Sequence, residues 1–185
     1  MDPKLWWHLS RASGLTAWAL LAGGVLWGLV MAGRLTRSPS RAWQMDVHRF
    51  LGGFSLVFIA LHLVTLVLDD SITIGIREIL IPFTARYRPG AVAAGVVASY
   101  LVLAVVATSW LRRRVPHRWW QWVHWLSYPL FALVSVHAFA AGTDTDALAL
   151  RWVALVIGAV LLFVATYRGL RRPTVSGPRR SPAHR

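Results

Sequence analysis

Five apolar stretches take up most of this 185-residue chain, and each is long enough to cross a lipid bilayer as a helix. The bilayer core offers no water to backbone N–H and C=O groups, so a spanning segment must satisfy its hydrogen bonds internally, as an α-helix does. The predicted spans are Gly14–Ala32, Asp46–Leu68, Ala91–Leu111, Trp120–Ala140 and Ala147–Arg168. We therefore predict an all-α fold, an integral membrane helical bundle of about five transmembrane helices.

These spans divide the chain into three predicted parts. Residues 1–13 are expected to form an outer N-terminal interfacial segment, and residues 14–168 the transmembrane domain. Residues 169–185 are rich in Pro, Ser, Gly and Arg and predict a disordered basic inner tail. In the longest connection, the apolar run Ile72–Phe83 predicts an interfacial helix. We expect no soluble flavin or nicotinamide domain, because the spans leave no room for one and no GxGxxG motif occurs.

The net charge of +13 is distributed unequally between the two sides of the predicted membrane. Fourteen basic residues and one acid fall on one side, whereas six basic and six acidic residues fall on the other. The positive-inside rule then places the N-terminus outside and the C-terminus in the cytoplasm of a multi-pass cell-membrane protein. A lipid bilayer explains this charge better than nucleic acid does, so nucleic acid is not an expected partner.

Four histidines lie in the second and fourth predicted spans: His48 and His62, fourteen residues apart, and His124 and His137, thirteen apart. Placing an ionisable side chain within a membrane span costs free energy, so such a residue indicates a functional site. Both spans run in the same direction, so we expect His48 to pair with His124 near the inner side and His62 with His137 near the outer side. Imidazole is a good iron ligand, and we predict two haem irons held between these spans.

The histidine spacing in the second span places both histidines on one face of a helix, whereas the spacing in the fourth span does not. Fourteen helical residues rise about 21 Å and end within about 40° of the starting direction. Thirteen residues miss that direction by roughly 140° in an ideal helix. Pro129 lies between His124 and His137, and a proline can kink the helix and change its phase. The chain has no cysteine, which excludes thiolate-ligated haem and iron–sulfur clusters.

Several other residues are candidates for the same site. Gly52 and Gly53 could admit a porphyrin edge, or they could mark a contact between helices. Arg49 and Arg118 could bind haem propionates. Further candidates for that role are Arg112, Arg113 and Arg114 inside, and Arg77, Arg86 and Arg88 outside. The sidedness of arginine explains all these charges equally well.

Many of the eleven tryptophans lie near the ends of the predicted spans, as is typical of an aromatic belt at the lipid headgroups. Trp122 and Trp125 flank His124, so stacking on a haem is an alternative role for these two. Outside, the acidic residues Asp69, Asp70, Asp144 and Asp146 could attract a ferric or cupric ion, although ordinary solvation explains them more simply.

The histidine-bearing segments resemble the ferric-reductase-like transmembrane domain superfamily. That superfamily includes ferric reductases, NADPH oxidases and the membrane haem subunit of the bacterial periplasmic methionine sulfoxide reductase system. The resemblance rests on His48-Arg49-Phe50-Leu51-Gly52, Leu61-His62-Leu63, the run from Trp119 to Tyr128 (WWQWVHWLSY), and Val136-His137. It implies two b-type haems with His48, His62, His124 and His137 as axial ligands.

The resemblance also implies that electrons pass from an inner donor through the two haems to an outer acceptor. The chain would then be the membrane component of an oxidoreductase, with a separate flavoprotein reductase or quinol as the donor. The acceptor stays open between a metal ion, dioxygen and a partner such as a periplasmic methionine sulfoxide reductase. A haem-sensing or structural subunit is an alternative, and metal transport is a third, disfavoured because the spans contain almost no other polar groups.

Overall fold

The computed structural model describes residues 5–33, 40–69 and 74–142, together with positions 158, 160, 162, 166 and 167. Every regular element in the three continuous ranges is an α-helix, so the predicted all-α class is confirmed for this part of the chain. The helices are α1 (Leu5–Gly33), α2 (Arg41–Val67), α3 (Ile76–Leu80), α4 (Pro89–Trp110), α5 (His117–Trp125) and α6 (Ser127–Ala141).

Four segments are long and apolar enough to cross a membrane, namely α1, α2, α4 and the combined α5–α6 segment His117–Ala141. They correspond to the first four predicted spans and fit a multi-pass membrane protein. Except for five single positions, the predicted fifth span Ala147–Arg168 lies outside the described residues. The predicted inner tail, residues 169–185, lies outside them as well.

Two helices begin earlier than hydropathy alone predicted. α1 is continuous from Leu5, so much of the predicted N-terminal interfacial segment forms its first turns. α2 begins at Arg41 because Ser40 caps it, its Oγ accepting a hydrogen bond from the Trp43 N–H at 3.3 Å. Such a cap satisfies one of the N–H groups that have no partner within the helix. The polar residues at these helix starts lowered the hydropathy without interrupting the helix.

The fourth span is broken at Leu126, between α5 and α6. The Leu126 N–H donates to the Val123 carbonyl at 3.0 Å, a tighter turn than that of an α-helix. Pro129, in the first turn of α6, has no N–H for the carbonyl four residues earlier. A proline is tolerated there because first-turn N–H groups have no intrahelical partner. The break resets the helical phase between His124 and His137.

The helices pack so that α1 contacts both α2 and α6, while α4 contacts α5 and α6. A buried apolar cluster of Leu21, Ala98, Val102 and Leu130 joins α1, α4 and α6. The two histidine-bearing spans pack more closely against α1 and α4 than against each other.

Trp18 fixes α1 against α6. Its indole is 4% exposed, and its Nε1 donates a hydrogen bond to Ser135 Oγ at 3.0 Å. The ring also stacks on Phe131 with the centroids 6.2 Å apart, and it meets the edge of Phe139 at 5.9 Å. A buried indole N–H needs such an acceptor, because leaving it unpaired in an apolar bundle is costly.

The outer connection contains less helix than the sequence predicted. α3 has five residues, whereas the apolar run Ile72–Phe83 predicted a longer interfacial helix, and residues 70–73 of this region are not described. Pro89 is the first residue of α4, a position that suits proline because its fixed φ matches the helix. The preceding Arg88 has a φ of 39°, so the chain turns sharply just before α4.

Candidate functional site

The structure brings the four predicted histidines together as two pairs at separate depths of the bundle. His48 of α2 lies beside His124 of α5, with the ring centroids 5.9 Å apart and the ring planes at 67°. His62 of α2 lies beside His137 of α6, at 6.3 Å and 75°. The break at Leu126 allows the second contact, since a single ideal helix would not point His124 and His137 in one direction.

The outer pair is held by backbone hydrogen bonds. His62 Nδ1 donates to the Ser10 carbonyl at 2.8 Å, and the Ser10 hydroxyl lies 3.3 Å from the same nitrogen. His137 Nδ1 donates to the Ala91 carbonyl, also at 2.8 Å. A carbonyl oxygen can only accept, so the proton is on Nδ1 in both rings. Each Nε2 therefore keeps a lone pair available for a metal, the arrangement typical of histidine ligands.

Glycines on α1 and α4 let three of the four rings lie directly against a helix backbone. A Cβ atom at Gly14 would lie 3.0 Å from His62 Nδ1, and one at Gly95 would lie 2.6 Å from His137 Nδ1. At Gly28 a Cβ would lie 3.3 Å from His48 Cε1. Ordinary contacts of a Cβ are 3.4–4 Å, so a side chain at Gly95 or Gly14 would displace the ring. The site thus extends over α1 and α4 as well as the two spans that carry the histidines.

The inner pair is held differently. Nδ1 of His48 and Nδ1 of His124 are both buried without a hydrogen-bond partner. His124 instead stacks on Trp120, with the centroids 5.0 Å apart and the planes at 19°. The inner ring is therefore oriented by an aromatic face rather than by a carbonyl.

An apolar cavity of about 190 Å³ lies beside the outer pair, bounded by α1, α2, α4 and α6. His62 and His137 both line it, and its few polar neighbours include Ser10, Arg11 and Tyr87. The outer imidazoles therefore face a shared space instead of being packed entirely by neighbouring side chains. Its lining, apolar with a few convergent polar groups, has the chemical character of cofactor sites.

The separation within each pair fits two imidazoles on opposite sides of one metal ion. With a metal–nitrogen bond of about 2 Å and about 1.1 Å from ring nitrogen to centroid, such rings have centroids about 6 Å apart. The measured values of 5.9 and 6.3 Å agree with this geometry. The ring separations are therefore compatible with one metal ion per pair.

Each pair supplies two ligands, which is too few for an ordinary metal-ion site. Among residues 5–33, 40–69 and 74–142, no group of three or more His, Cys, Asp or Glu side chains could hold a metal ion. A bare zinc ion takes four ligands, at least three of them from the protein. A haem iron, already bound by its porphyrin, would need only the two further ligands that each histidine pair could supply. The residues present fit haem better than a free ion.

The predicted accessory residues are placed less favourably. A Cβ at Gly52 or Gly53 would meet nothing within 4 Å, so neither glycine marks a tight contact between the described helices. Arg49 is exposed and forms an ion pair with Asp46 at 3.6 Å, one turn away on α2. Arg118 lines a shallow surface pocket with Trp119 and Trp122. None of these contacts connects the accessory residues to a histidine pair.

Trp122 and Trp125 do not take the stacking role considered for them. Their rings contact each other edge to face at 5.4 Å, and both are at least half exposed, as expected of an aromatic belt. Trp120 is the tryptophan that meets His124. Among the outer cations, Arg88 donates to the Ala140 carbonyl. Of the outer acids, Asp69 is buried, and the other three predicted acids lie outside the described residues.

The sequence contained a signal for the part of the site on α1 that was not used. Small residues occur four apart at Ser10 and Gly14, and again at Gly24 and Gly28. The two pairs are fourteen residues apart, the same interval as His48 to His62 on the antiparallel helix α2. Small residues at a four-residue interval let helices approach closely. Matching the two intervals would have predicted that α1 packs behind both histidines of α2.

Comparison with known proteins gives a family without an assigned activity. A family model described as a domain of unknown function (DUF8596) matches residues 5–144, which include α1 to α6 and all four histidines. No curated protein and no solved structure matches the chain.

Proposed function

We propose that this chain, which belongs to the DUF8596 family of unknown function, is the membrane component of an electron-transfer system. It would hold two b-type haems, one between His48 and His124 and one between His62 and His137. The observation that carries the proposal is the pairing of four histidines at two depths, with centroid separations of 5.9 and 6.3 Å. The likeness of the histidine segments to ferric-reductase-like membrane domains supports the same reading.

The residues around the outer pair prepare it for ligation before any metal arrives. The Ser10 and Ala91 carbonyls fix the tautomer of His62 and His137 and orient both rings. Hydrogen bonds of this kind raise the basicity of the ligating nitrogen. Gly14 and Gly95 give the rings space against α1 and α4. Mostly apolar side chains line the cavity beside the pair.

Two histidines per iron favour electron transfer over binding of a small ligand at the metal. When bound, the haems supply one-electron chemistry, each iron alternating between the ferric and ferrous states. His48 with His124, and His62 with His137, would supply two protein ligands to each iron, which would leave no coordination site open for oxygen or another small molecule. Fourteen residues of α2 separate the pairs by about 21 Å along the helix, which distributes them across the bilayer.

The basic residues near the inner pair support a cytoplasmic entry and an outer exit. Arg112, Arg113, Arg114 and Arg118 lie in or next to the turn between α4 and α5, on the side that carries the net positive charge. With the N-terminus outside, electrons would enter near His48 and His124 and leave near His62 and His137. The donor in this proposal is a separate flavoprotein reductase or a quinol, and the acceptor is a metal ion, dioxygen or a partner protein.

Proteoliposomes test the proposal directly. Purified protein is reconstituted into vesicles that contain ferricyanide, and dithionite is added outside. We expect the trapped ferricyanide to be reduced at a rate proportional to the amount of protein, and a His62→Ala/His137→Ala variant to fall to the rate of protein-free vesicles. A haem-containing wild type that is no faster than empty vesicles would contradict electron transfer and favour a sensing or structural role.

A further inference from the structure

The two histidine pairs are positioned by different means, and the inner pair relies on one aromatic side chain. The outer rings each donate Nδ1–H to a carbonyl at 2.8 Å. His124 has no such acceptor, although its Nδ1 is buried. The flat contact with Trp120, at 5.0 Å and 19°, is the interaction that defines its ring plane. A buried imidazole without a hydrogen bond can rotate about its side-chain bonds unless packing prevents it.

Trp120 is itself held from three directions. Arg112 lies over its ring, with the guanidinium carbon 4.3 Å from the centroid, and His117 stacks on it at 5.5 Å and 25°. Its Nε1 lies 3.4 Å from Ser109 Oγ of α4, at the long end of the hydrogen-bond range. His117, Trp120 and His124 follow one another at three- and four-residue intervals, so they share one face of α5. The result is a stack of three rings that leads from the basic turn to the inner pair.

We propose that Trp120 is a positioning residue for His124, replacing the carbonyl hydrogen bond that positions the outer ligands. The inference rests on the proposed haem function and adds a residue to it. Removing the indole face would free the His124 ring to rotate relative to His48, whose plane now lies at 67° to it. Only the inner site would change, because Trp120 stacks on His124 and, among the described residues, meets neither His62 nor His137.

The neighbouring residue Trp119 provides a matched control. It is the same residue type on the same helix, but it is 69% exposed and lies on the surface of the bundle beside Arg118. Trp119→Leu therefore removes an equal amount of aromatic surface without touching His124. Trp120→Phe keeps a flat face for stacking, whereas Trp120→Leu removes it.

The experiment compares the full-length wild type with W120L, W120F and W119L, each purified with haem. Low-temperature EPR of the ferric protein reports the angle between the two axial imidazole planes of each low-spin haem. We expect W120L to shift or lose one of two signals, to lower haem content from about two toward one per chain, and to move one midpoint potential. W120F and W119L should keep both signals.

Each outcome bears on the inference. W120L spectra and potentials identical to those of W119L would overturn it, as would equal loss of both haems in W120L, since Trp120 would then serve the whole fold. If W120F changes the EPR signals and haem content as W120L does, then ring stacking is not what positions His124, and the inference is overturned as well. A wild-type chain that binds no haem would overturn the proposed function itself, which distinguishes that failure from failure at Trp120 alone.

Discussion

Gly95→Ala should damage the outer histidine pair through one methyl group. The new Cβ would lie 2.6 Å from His137 Nδ1 and 2.7 Å from Cε1, against at least 3.4 Å for an ordinary contact. The ring would have to move by about 0.8 Å or more, which is enough to break its 2.8 Å hydrogen bond to Ala91. Overpacking of this kind costs about 1–3 kcal/mol. Replacing a helical glycine by alanine gains only about 0.5–1 kcal/mol.

Alanine substitutions at three other glycines provide a graded comparison for Gly95→Ala. Gly14→Ala and Gly28→Ala place a Cβ 3.0 and 3.3 Å from their histidines, so their effects should be smaller in that order. Gly52→Ala meets nothing within 4 Å and should be neutral or stabilising. The assay is haem content per chain together with the midpoint of thermal unfolding in detergent. A Gly95→Ala protein with full haem content and a midpoint no lower than that of Gly52→Ala would refute the geometry of the outer site.

Three further predictions follow from individual contacts. Trp18→Phe removes the hydrogen bond to Ser135 and should lower the free energy of unfolding by about 1 kcal/mol, less in a Ser135→Ala background; chemical denaturation measures both. Pro129→Ala restores an N–H that can close the broken turn of the fourth span, so it should weaken the outer haem signal in EPR more than the inner one; equal signals would contradict this. Because the natural chain has no cysteine, Arg113→Cys should react with a membrane-impermeant maleimide only from the cytoplasm and Arg86→Cys only from outside; the opposite pattern would reverse the topology.

Hydropathy was sufficient to predict the helices whose whole length is apolar. α4, Pro89–Trp110, lies close to the predicted span Ala91–Leu111, because its sequence is apolar up to the turn signals at both ends. The start of α1 was missed because Ser10 and Ser13 lower the local hydropathy, while their hydroxyl groups are satisfied within the helix bundle. Polar residues that find partners do not end a membrane helix.

The sequence alone was enough to single out the candidate ligands, but it predicted only part of what surrounds them. Histidine is rare in apolar spans, so His48 and His62 stood out from the sequence alone. The ring that supports His124 could not be chosen among several nearby tryptophans, because the choice depends on the phase of α5 and on its contact with α4. Trp120 faces Ser109 and Arg112, whereas Trp122 faces outward. The role of Gly95 could not be predicted from the sequence, because it depends on α4 passing directly behind the His137 ring.

Haem content per chain, measured on purified protein by the pyridine haemochrome spectrum, shows whether the two histidine pairs each hold a haem. The wild type should contain two b-type haems. Single His→Ala substitutions at positions 48, 62, 124 and 137 should each remove one haem, and the changes at 48 and 124 should remove the same one, as should those at 62 and 137. A colourless wild type that cannot be reconstituted with haem would contradict the account, and so would four variants that all keep two haems.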